Sequence, residues 1–428
     1  MLQKLKNILI HLPKAIFYQY LYGQPSKKLT LIGVTGTDGK TSTANLIYEI
    51  LLKSGINAGV ITTINAKYGN QEIDTGLHLT SPDPSLVQKI LKEMADNGVT
   101  HVVCEVTAHA LDQYRFYGCY FQIALITNTS HEHLDYFHDM ENYIRVKGKI
   151  FDQAKIAILN KDDQSFKYLS SKIPKFVSYG IDKKSDFQAK NIKTTSDEIK
   201  FCVNNLTITT DSIYRYQIYN TLAALATISQ LKIDPKYLIE TVKAFPLVKG
   251  RREEVQNDFD IKAIIDFAHT PNAIKNTLAS LREVKKGKII AIFGATGGRD
   301  QSKRPEMGLV TAQLANIAII TSDDTRNEKI EDINKQIISG IPSDSVLIES
   351  NNLSQIKKII KDNPNKFIYF NIPNRQDAFN LAIKLAQSKD IVIAMGKGHE
   401  TSILHGNTEY PWSESQAFRL AFSLKNKS

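Results

Sequence analysis

Cysteine is scarce in this chain. Cys104, Cys119 and Cys202 stand alone, and no Cys-x-x-Cys pair occurs that could hold zinc or run thiol–disulfide exchange. That usage fits a reduced, cytoplasmic setting. No run approaches the ~18 consecutive apolar residues a membrane-spanning helix needs. The stretch from Leu5 to Leu12 is short, carries His11 and lacks a small-residue cleavage site, which argues against secretion. Internal repeats and low-complexity tracts are also missing. Lys plus Arg exceed Asp plus Glu by ten, a bias compatible with nucleic acid, a membrane surface or small polyanions such as nucleotides. No long Lys/Arg run interleaved with aromatics is present, so a nucleic-acid partner is not expected. Leu5, Ile8, Leu9 and Leu12 recur at helical spacing beside Lys4 and Lys6, which suits a helix packed on the next domain or one lying on a membrane surface.

What is present is a long chain, 428 residues with 42% hydrophobic and 23% charged, enough for two or three cores. Short apolar β-rich runs alternate with helical stretches, the pattern of parallel sheets with crossover helices, so the fold class is α/β. One series of candidate strands covers Leu29 to Val34, Ala58 to Thr62, His101 to Val106, Ile123 to Thr127 and Ile156 to Leu159. A second covers Ala263 to Phe267, Ile289 to Phe293, Ile317 to Thr321, Val346 to Ile348 and Ile391 to Ala394. A helical stretch from about Tyr219 to Ala244 lies between them, followed by Pro246 to Arg252, which reads as an interdomain link. The expected division is an N-terminal helix and linker (1–28), a central nucleotide-binding domain (29–246) and a C-terminal α/β domain (247–428).

The strongest local signal is Gly33-Val-Thr-Gly36-Thr37-Asp38-Gly39-Lys40-Thr41-Ser42, which leaves an apolar strand and opens a helix holding Leu46, Ile47 and Ile50. Glycines let backbone N–H groups approach phosphates and the helix N-terminus adds positive potential. Lys40 then meets the β/γ oxygens, and the Thr41 hydroxyl can ligate magnesium. The spacing departs from the common P-loop, because Val34 stands where a glycine is usual. Glu105 ends the apolar strand Val102-Val103-Cys104, at the functional edge of a parallel sheet, and can complete a magnesium site. His133, in Ser130-His-Glu-His133-Leu-Asp135, is a candidate partner for a second ion.

In order along the chain, Gly33 to Thr41, Glu105-Val-Thr-Ala-His109-Ala-Leu111, His133-Leu-Asp135, Asn160-Lys-Asp162-Asp163, Gly250-Arg251-Arg-Glu253 and Asp266-Phe-Ala-His269-Thr-Pro271 resemble the Mur ligase series. Lys303-Arg304-Pro305 and Gly396-Lys397-Gly398-His399-Glu400 resemble the MurE-type branch, the UDP-N-acetylmuramoyl-tripeptide synthetases. The resemblance implies a central P-loop ATPase domain with a mostly parallel sheet, plus a C-terminal Rossmann-like α/β domain. It also implies an ATP- and Mg2+-dependent, ADP-forming amide ligase that activates a carboxylate of UDP-N-acetylmuramoyl-L-alanyl-D-glutamate and adds a diamino acid. Thr41 and Glu105 would hold one magnesium and His133 a second. Lys147, after Tyr143 in its helix, would be the family's N6-carboxylysine. Gly36 to Ser42, Asn220, Arg251 and Asp266 would contact ATP, the last two from the C-terminal domain.

On the acceptor side the resemblance assigns Thr80, Ser81, Thr107, Gln113 and Arg115 to the muramoyl peptide, with Thr107 replacing the usual serine. It assigns Arg304, Asp324, Arg326, Gly396 and Glu400 to the diamino acid, arginine taking carboxylates and Glu400 an ammonium. The usual Asp-Asn-Pro-Arg reads Asp323-Asp324-Thr325-Arg326 here, and the added charge of Asp324 tilts the expectation toward L-lysine. Arg326 would still serve the second carboxylate of meso-diaminopimelate. Only 32 residues precede Gly33, fewer than a nucleotide-binding domain needs, so the uridine end is expected to be held weakly or through a partner. Two other readings are a folylpolyglutamate-synthase-like ligase, which explains Lys303 to Pro305 and Gly396 to Glu400 poorly, and a catalytically silent nucleotide-binding scaffold, which intact Lys40, Glu105, His133 and Lys147 oppose.

Overall fold

The apolar run after Leu29 forms the strand Thr30–Thr35, with Leu31, Ile32 and Val34 fully buried, in the interior of a nine-stranded sheet. The computed structural model describes residues 2–75, 81–195, 197–245 and 250–426. It divides into one unit of Met1–Ser130 with Phe137–Phe245 and another of His131–Tyr136 with Pro246–Ser428. In the first unit the strand order is Gln71–Asp74, Asn65–Tyr68, Ala58–Ile61, His101–Glu105, Thr30–Thr35, Phe121–Ile126, Ala154–Asn160, Phe176–Gly180, Phe187–Gln188. The pairings from Ala58–Ile61 onward are parallel, and the two outer strands on the other edge are antiparallel. Parallel strands are covered on both faces, which is why these runs are apolar throughout rather than alternating. The helices Lys40–Lys53 and Tyr216–Gln230 share one core with them, through Leu46, Ile47, Ile50, Ile218 and Leu222. Register pairs Val34 with Glu105 and Thr35 with Ile126. Those pairings bring the glycine loop, Glu105 and Thr127 to one sheet edge, the edge where open α/β sheets bind ligands.

Several elements were not foreseen. The hairpin Asn65–Tyr68/Gln71–Asp74 and the three-stranded sheet Lys190–Thr194, Ile199–Val203, Leu206–Thr210 carry polar residues on an exposed side, so they lack the long apolar runs of the parallel strands. The helical stretch expected from Tyr219 to Ala244 is two helices, Tyr216–Gln230 and Pro235–Lys243. Lys232 in the left-handed region (φ 58°) ends the first, while Asp234 caps the N–H of Lys236 and Pro235 opens the second. Of the expected link, residues 246–249 lie outside those described. The N-terminal segment Leu2–Leu21 is helical with a π turn at Asn7–His11. It packs on the first unit through buried Asn7, Ala15 and Gln19, and Asn7 Nδ2 donates to Asp112 Oδ2 at 2.7 Å.

In the second unit a seven-stranded sheet runs Glu253–Val255, Lys262–Asp266, Ile391–Met395, Ile289–Phe293, Ile317–Ile320, Ile368–Asn371, Val346–Leu347, parallel except for the first strand. Behind it Arg375, at the start of helix Arg375–Leu385, meets Glu414, at the start of helix Glu414–Lys425. Arg375 Nη2 lies 2.5 Å from Glu414 Oε1 with both side chains 1% exposed, and the guanidinium also donates to the carbonyls of Ser322 and Met395. Removing one member strands a buried charge. Glu414→Ala is therefore expected to destabilise the second unit by ~3–5 kcal/mol, read from its urea midpoint; a loss below ~1 kcal/mol would show that water reaches the pair.

Candidate active site

The glycine loop is fixed by the strand beside it. The N–H of Thr37 donates to Asn128 O at 2.8 Å, the N–H of Asp38 to Asn128 Oδ1 at 3.0 Å, and Thr127 Oγ1 donates to Asp38 O at 2.7 Å. Gly36 has φ 144° and a Cβ there would run into the Thr127 hydroxyl; Gly39 has φ 80° and a Cβ would lie 2.7 Å from Asn220 Oδ1. These two positions require glycine. Lys40 begins the helix and its Nζ folds back on Thr37 O at 2.7 Å, a contact that a phosphate oxygen can replace. Ser42 follows, half-buried. Thr41 Oγ1 donates to Glu105 Oε2 at 2.9 Å, and the N–H of Thr63 reaches the same oxygen at 3.1 Å. A hydroxyl beside a carboxylate is a hard-oxygen donor set of the kind Mg2+ prefers.

Lys147 comes from the helix Met140–Gly148 and is 1% exposed, its Nζ 2.5 Å from Gly36 O and 4.3 Å over the Tyr143 ring. Asn220 is buried on the helix Tyr216–Gln230; its Oδ1 accepts from Thr43 Oγ1 at 3.2 Å, while its Nδ2 has no partner among the described residues. A buried amide donor left open beside the glycine loop suits an acceptor atom of a ligand. Ser81 and Thr107 hydroxyls lie 3.1 Å apart, and Arg115 donates to Ser81 O and, at 2.8 Å, to Gln113 Oε1. The four described acceptor-side candidates thus form one cluster; Thr80 lies outside the described residues.

The second unit gathers its candidates at strand ends. Asp266 accepts from the N–H groups of Arg252 (3.0 Å) and Ala268 (2.9 Å). Burial pushes its carboxyl above the usual range, partly offset by the Arg251 guanidinium, which stacks 4.3 Å over Phe267. Lys397, 1% exposed, bridges Asp324 Oδ1 at 2.7 Å and Glu400 Oε2 at 2.5 Å. Burial raises the Glu400 carboxyl, opposed by Lys397; burial would also raise Asp323, but Lys397 and Arg375 hold it below its ordinary value. Gly396 has φ 110°, and a Cβ there would lie 2.7 Å from Asp323 Oδ2. Arg326, with φ 50°, has a buried Nε without a partner among the described residues. His133 (φ 58°) belongs to the hexapeptide grouped with this unit, its Nε2 3.7 Å from Glu132.

The Mur ligase middle domain matches residues 34–228, and the Mur ligase, glutamate ligase domain matches residues 250–398. The chain is 34% identical over 426 residues to the UDP-N-acetylmuramoyl-L-alanyl-D-glutamate–2,6-diaminopimelate ligase of Listeria monocytogenes, covering 96% of this chain and 82% of that one. The chain belongs to the Mur ligase family. The enzyme of the same name from Aquifex aeolicus is 37% identical over 407 residues, 93% of this chain and 78% of that one. A solved ligase of that name superposes with TM-score 0.62 at 25% identity, over 97% of this chain and 82% of that one. Folylpolyglutamate synthase of Mycobacterium tuberculosis reaches TM-score 0.72 at 15% identity, over 96% and 95%, a likeness of fold. A Mur ligase is an ATP-dependent amide ligase, and the chain is one.

Two expectations for the diamino-acid pocket of this Mur ligase are corrected. Arg304 is fully buried and its Nη donors are taken internally: Nη1 and Nη2 grip Glu328 at 2.7 and 2.9 Å, with Gln336 Oε1 and Thr296 O taking further donors, and only its buried Nε has no partner among the described residues. Arg299, five residues earlier, is the guanidinium that lies near Arg326 and Asp324. It went unread because an arginine following glycine in a loop has no periodic signature; Gly297 admits Thr325 O against the backbone, and Gly298 takes φ 61°. Asp324 is engaged rather than free, its Oδ1 accepting from Lys397 and from the N–H of Leu404 (2.9 Å), which weakens the argument for L-lysine. The thiols of Cys104 and Cys119 are buried and pushed up by that burial, Cys119 to about 12, so neither is a nucleophile at neutral pH.

Proposed function

We propose that this Mur ligase joins diaminopimelate to UDP-N-acetylmuramoyl-L-alanyl-D-glutamate, forming ADP and phosphate. The observation that carries the choice of amino acid is the pair of neighbouring guanidiniums, Arg299 and Arg326, neither hydrogen-bonded to a carboxylate among the described residues. Burial and the like charge of Arg326 lower the pKa of Arg299, partly offset by Asp135, Glu132 and Asp324, so an anionic ligand there relieves the remaining repulsion. Diaminopimelate carries a carboxylate at each end; lysine lacks the distal one. Glu400, beside Lys397, supplies the acceptor for an ammonium group.

In the first unit, Lys40 balances charge on the β- and γ-phosphates and the loop N–H groups orient them. Thr41 and Glu105 would hold Mg2+, which neutralises phosphate charge as the carboxylate approaches. His133 is assigned to a second ion, Lys147 to its carbamate form, Asn220 to the adenine, and Arg251 and Asp266 to ATP. Ser81, Thr107, Gln113 and Arg115 orient the muramoyl peptide. A glutamyl carboxylate oxygen attacks the γ-phosphorus, the bond to the β-phosphate oxygen breaks and ADP leaves. The amine, having lost a proton, then adds to the acyl carbon, and the tetrahedral intermediate expels phosphate bearing the former carboxylate oxygen.

The test is competition between diaminopimelate and L-lysine. Diaminopimelate is expected to be favoured at least ~100-fold in kcat/KM, and Arg326→Ala to erase most of the difference by raising KM for diaminopimelate. Lysine used as well as diaminopimelate would overturn the assignment.

A further inference from the structure

We propose that the N-terminal helical segment docks this protein on an anionic lipid surface. Among the described residues, seven of the thirteen large hydrophobics that stand exposed fall between Leu5 and Leu21, with Leu9 64% and Phe17 60% exposed. The segment is already anchored on its other side: Asn7, Ala15 and Gln19 are buried, Asn7 bonds Asp112, and Lys14 bonds Asp83. Its outward ridge of Leu5, Ile8, Leu9, Ile10, Phe17 and Leu21 is thus held in place and left uncovered by the described residues, a concentration that isolated surface leucines do not explain.

Charge chooses the occupant. The first 37 residues contain five lysines and no Asp or Glu, so half of the chain's net charge of +10 is carried by less than a tenth of its length. Lys6, Lys27 and Lys28 are exposed. An exposed apolar helical segment in a lysine-rich, acid-free stretch of chain matches a helix lying in the headgroup region, its apolar side among acyl chains and its cations against anionic headgroups. A second copy fits poorly, because a twofold contact sets the same lysine-bearing patch against itself, and Asp83, the acid beside it, is already paired with Lys14. A nucleic-acid backbone would use the lysines but leave the aliphatic ridge in water. No helix among the described residues is long and apolar enough to cross a membrane.

The experiment is flotation of the full chain with vesicles of phosphatidylglycerol and phosphatidylcholine, against phosphatidylcholine alone. Binding is expected to be about tenfold stronger to the anionic vesicles and to weaken with added salt. Leu9→Glu/Phe17→Glu should abolish it while solution ligase activity and the circular dichroism spectrum stay unchanged. Lys27→Glu/Lys28→Glu should weaken it without touching the ridge. Failure to float with anionic vesicles, or binding that survives both double variants, overturns the proposal. So does a dimer in sedimentation velocity that Leu9→Glu/Phe17→Glu dissociates without any vesicle binding, which would assign the ridge to self-association.

Discussion

Lys40→Ala is expected to lower kcat by about three orders of magnitude, roughly 4 kcal/mol of transition-state stabilisation. The lysine begins the helix Lys40–Lys53, and its Nζ rests on Thr37 O, within the loop that Asn128 and Thr127 hold. Nothing in the fold depends on that contact, since a lysine hydrogen-bonded to one carbonyl at a half-buried site contributes little to stability. The alanine variant should therefore melt within a degree or two of the parent while turning over almost no ATP. Lys40→Arg should recover little, because the planar guanidinium cannot occupy the compact site of an ammonium. Turnover within a few-fold of the parent would remove the phosphate-loop assignment.

The second large effect concerns Lys147. A lysine that is 1% exposed, resting on Gly36 O and the Tyr143 ring, is costly as an ammonium and would repel a cation held near the phosphates. Condensing its neutral amine with CO2 forms an N–C bond, releases a proton and converts the side chain to an anion of the length a carboxylate ligand needs. Lys147→Ala is expected to lose at least ~100-fold in kcat and to regain part of it with acetate or propionate in the buffer. Depleting CO2 should lower parent activity in step. A Lys147→Ala variant of normal activity, or one that short carboxylates leave unchanged while CO2 has no effect on the parent, would show the lysine to be a packing residue.

The parallel strands were legible because burial on both faces writes them as continuous apolar runs, and the turn from Gly36 into the helix at Lys40 was legible because its positive-φ positions require glycine. Antiparallel edge strands such as Asn65–Tyr68 and Gln71–Asp74 were not, since they are four residues long and mix polar with apolar residues, so no continuous apolar run marks them. Within the site, identities were easier to read than states. Arg304 and Arg299 are both arginines five residues apart, yet only packing reveals that Glu328 consumes the first. Likewise Asp324 reads as a free negative charge in sequence, and Lys397, seventy-three residues away, pairs with it in the fold. Asn128 fixes the glycine loop through three hydrogen bonds but has no motif of its own.

The central claim is that a carboxylate is activated as an acyl phosphate within this chain. Its most direct measurement uses UDP-N-acetylmuramoyl-L-alanyl-D-glutamate labelled with 18O in the glutamyl carboxylates, together with ATP and diaminopimelate. The account predicts ADP as the nucleotide product and one 18O atom in each phosphate released, because the oxygen that attacks the γ-phosphorus departs with it. AMP and pyrophosphate as products, or amide formed with unlabelled phosphate, would contradict it.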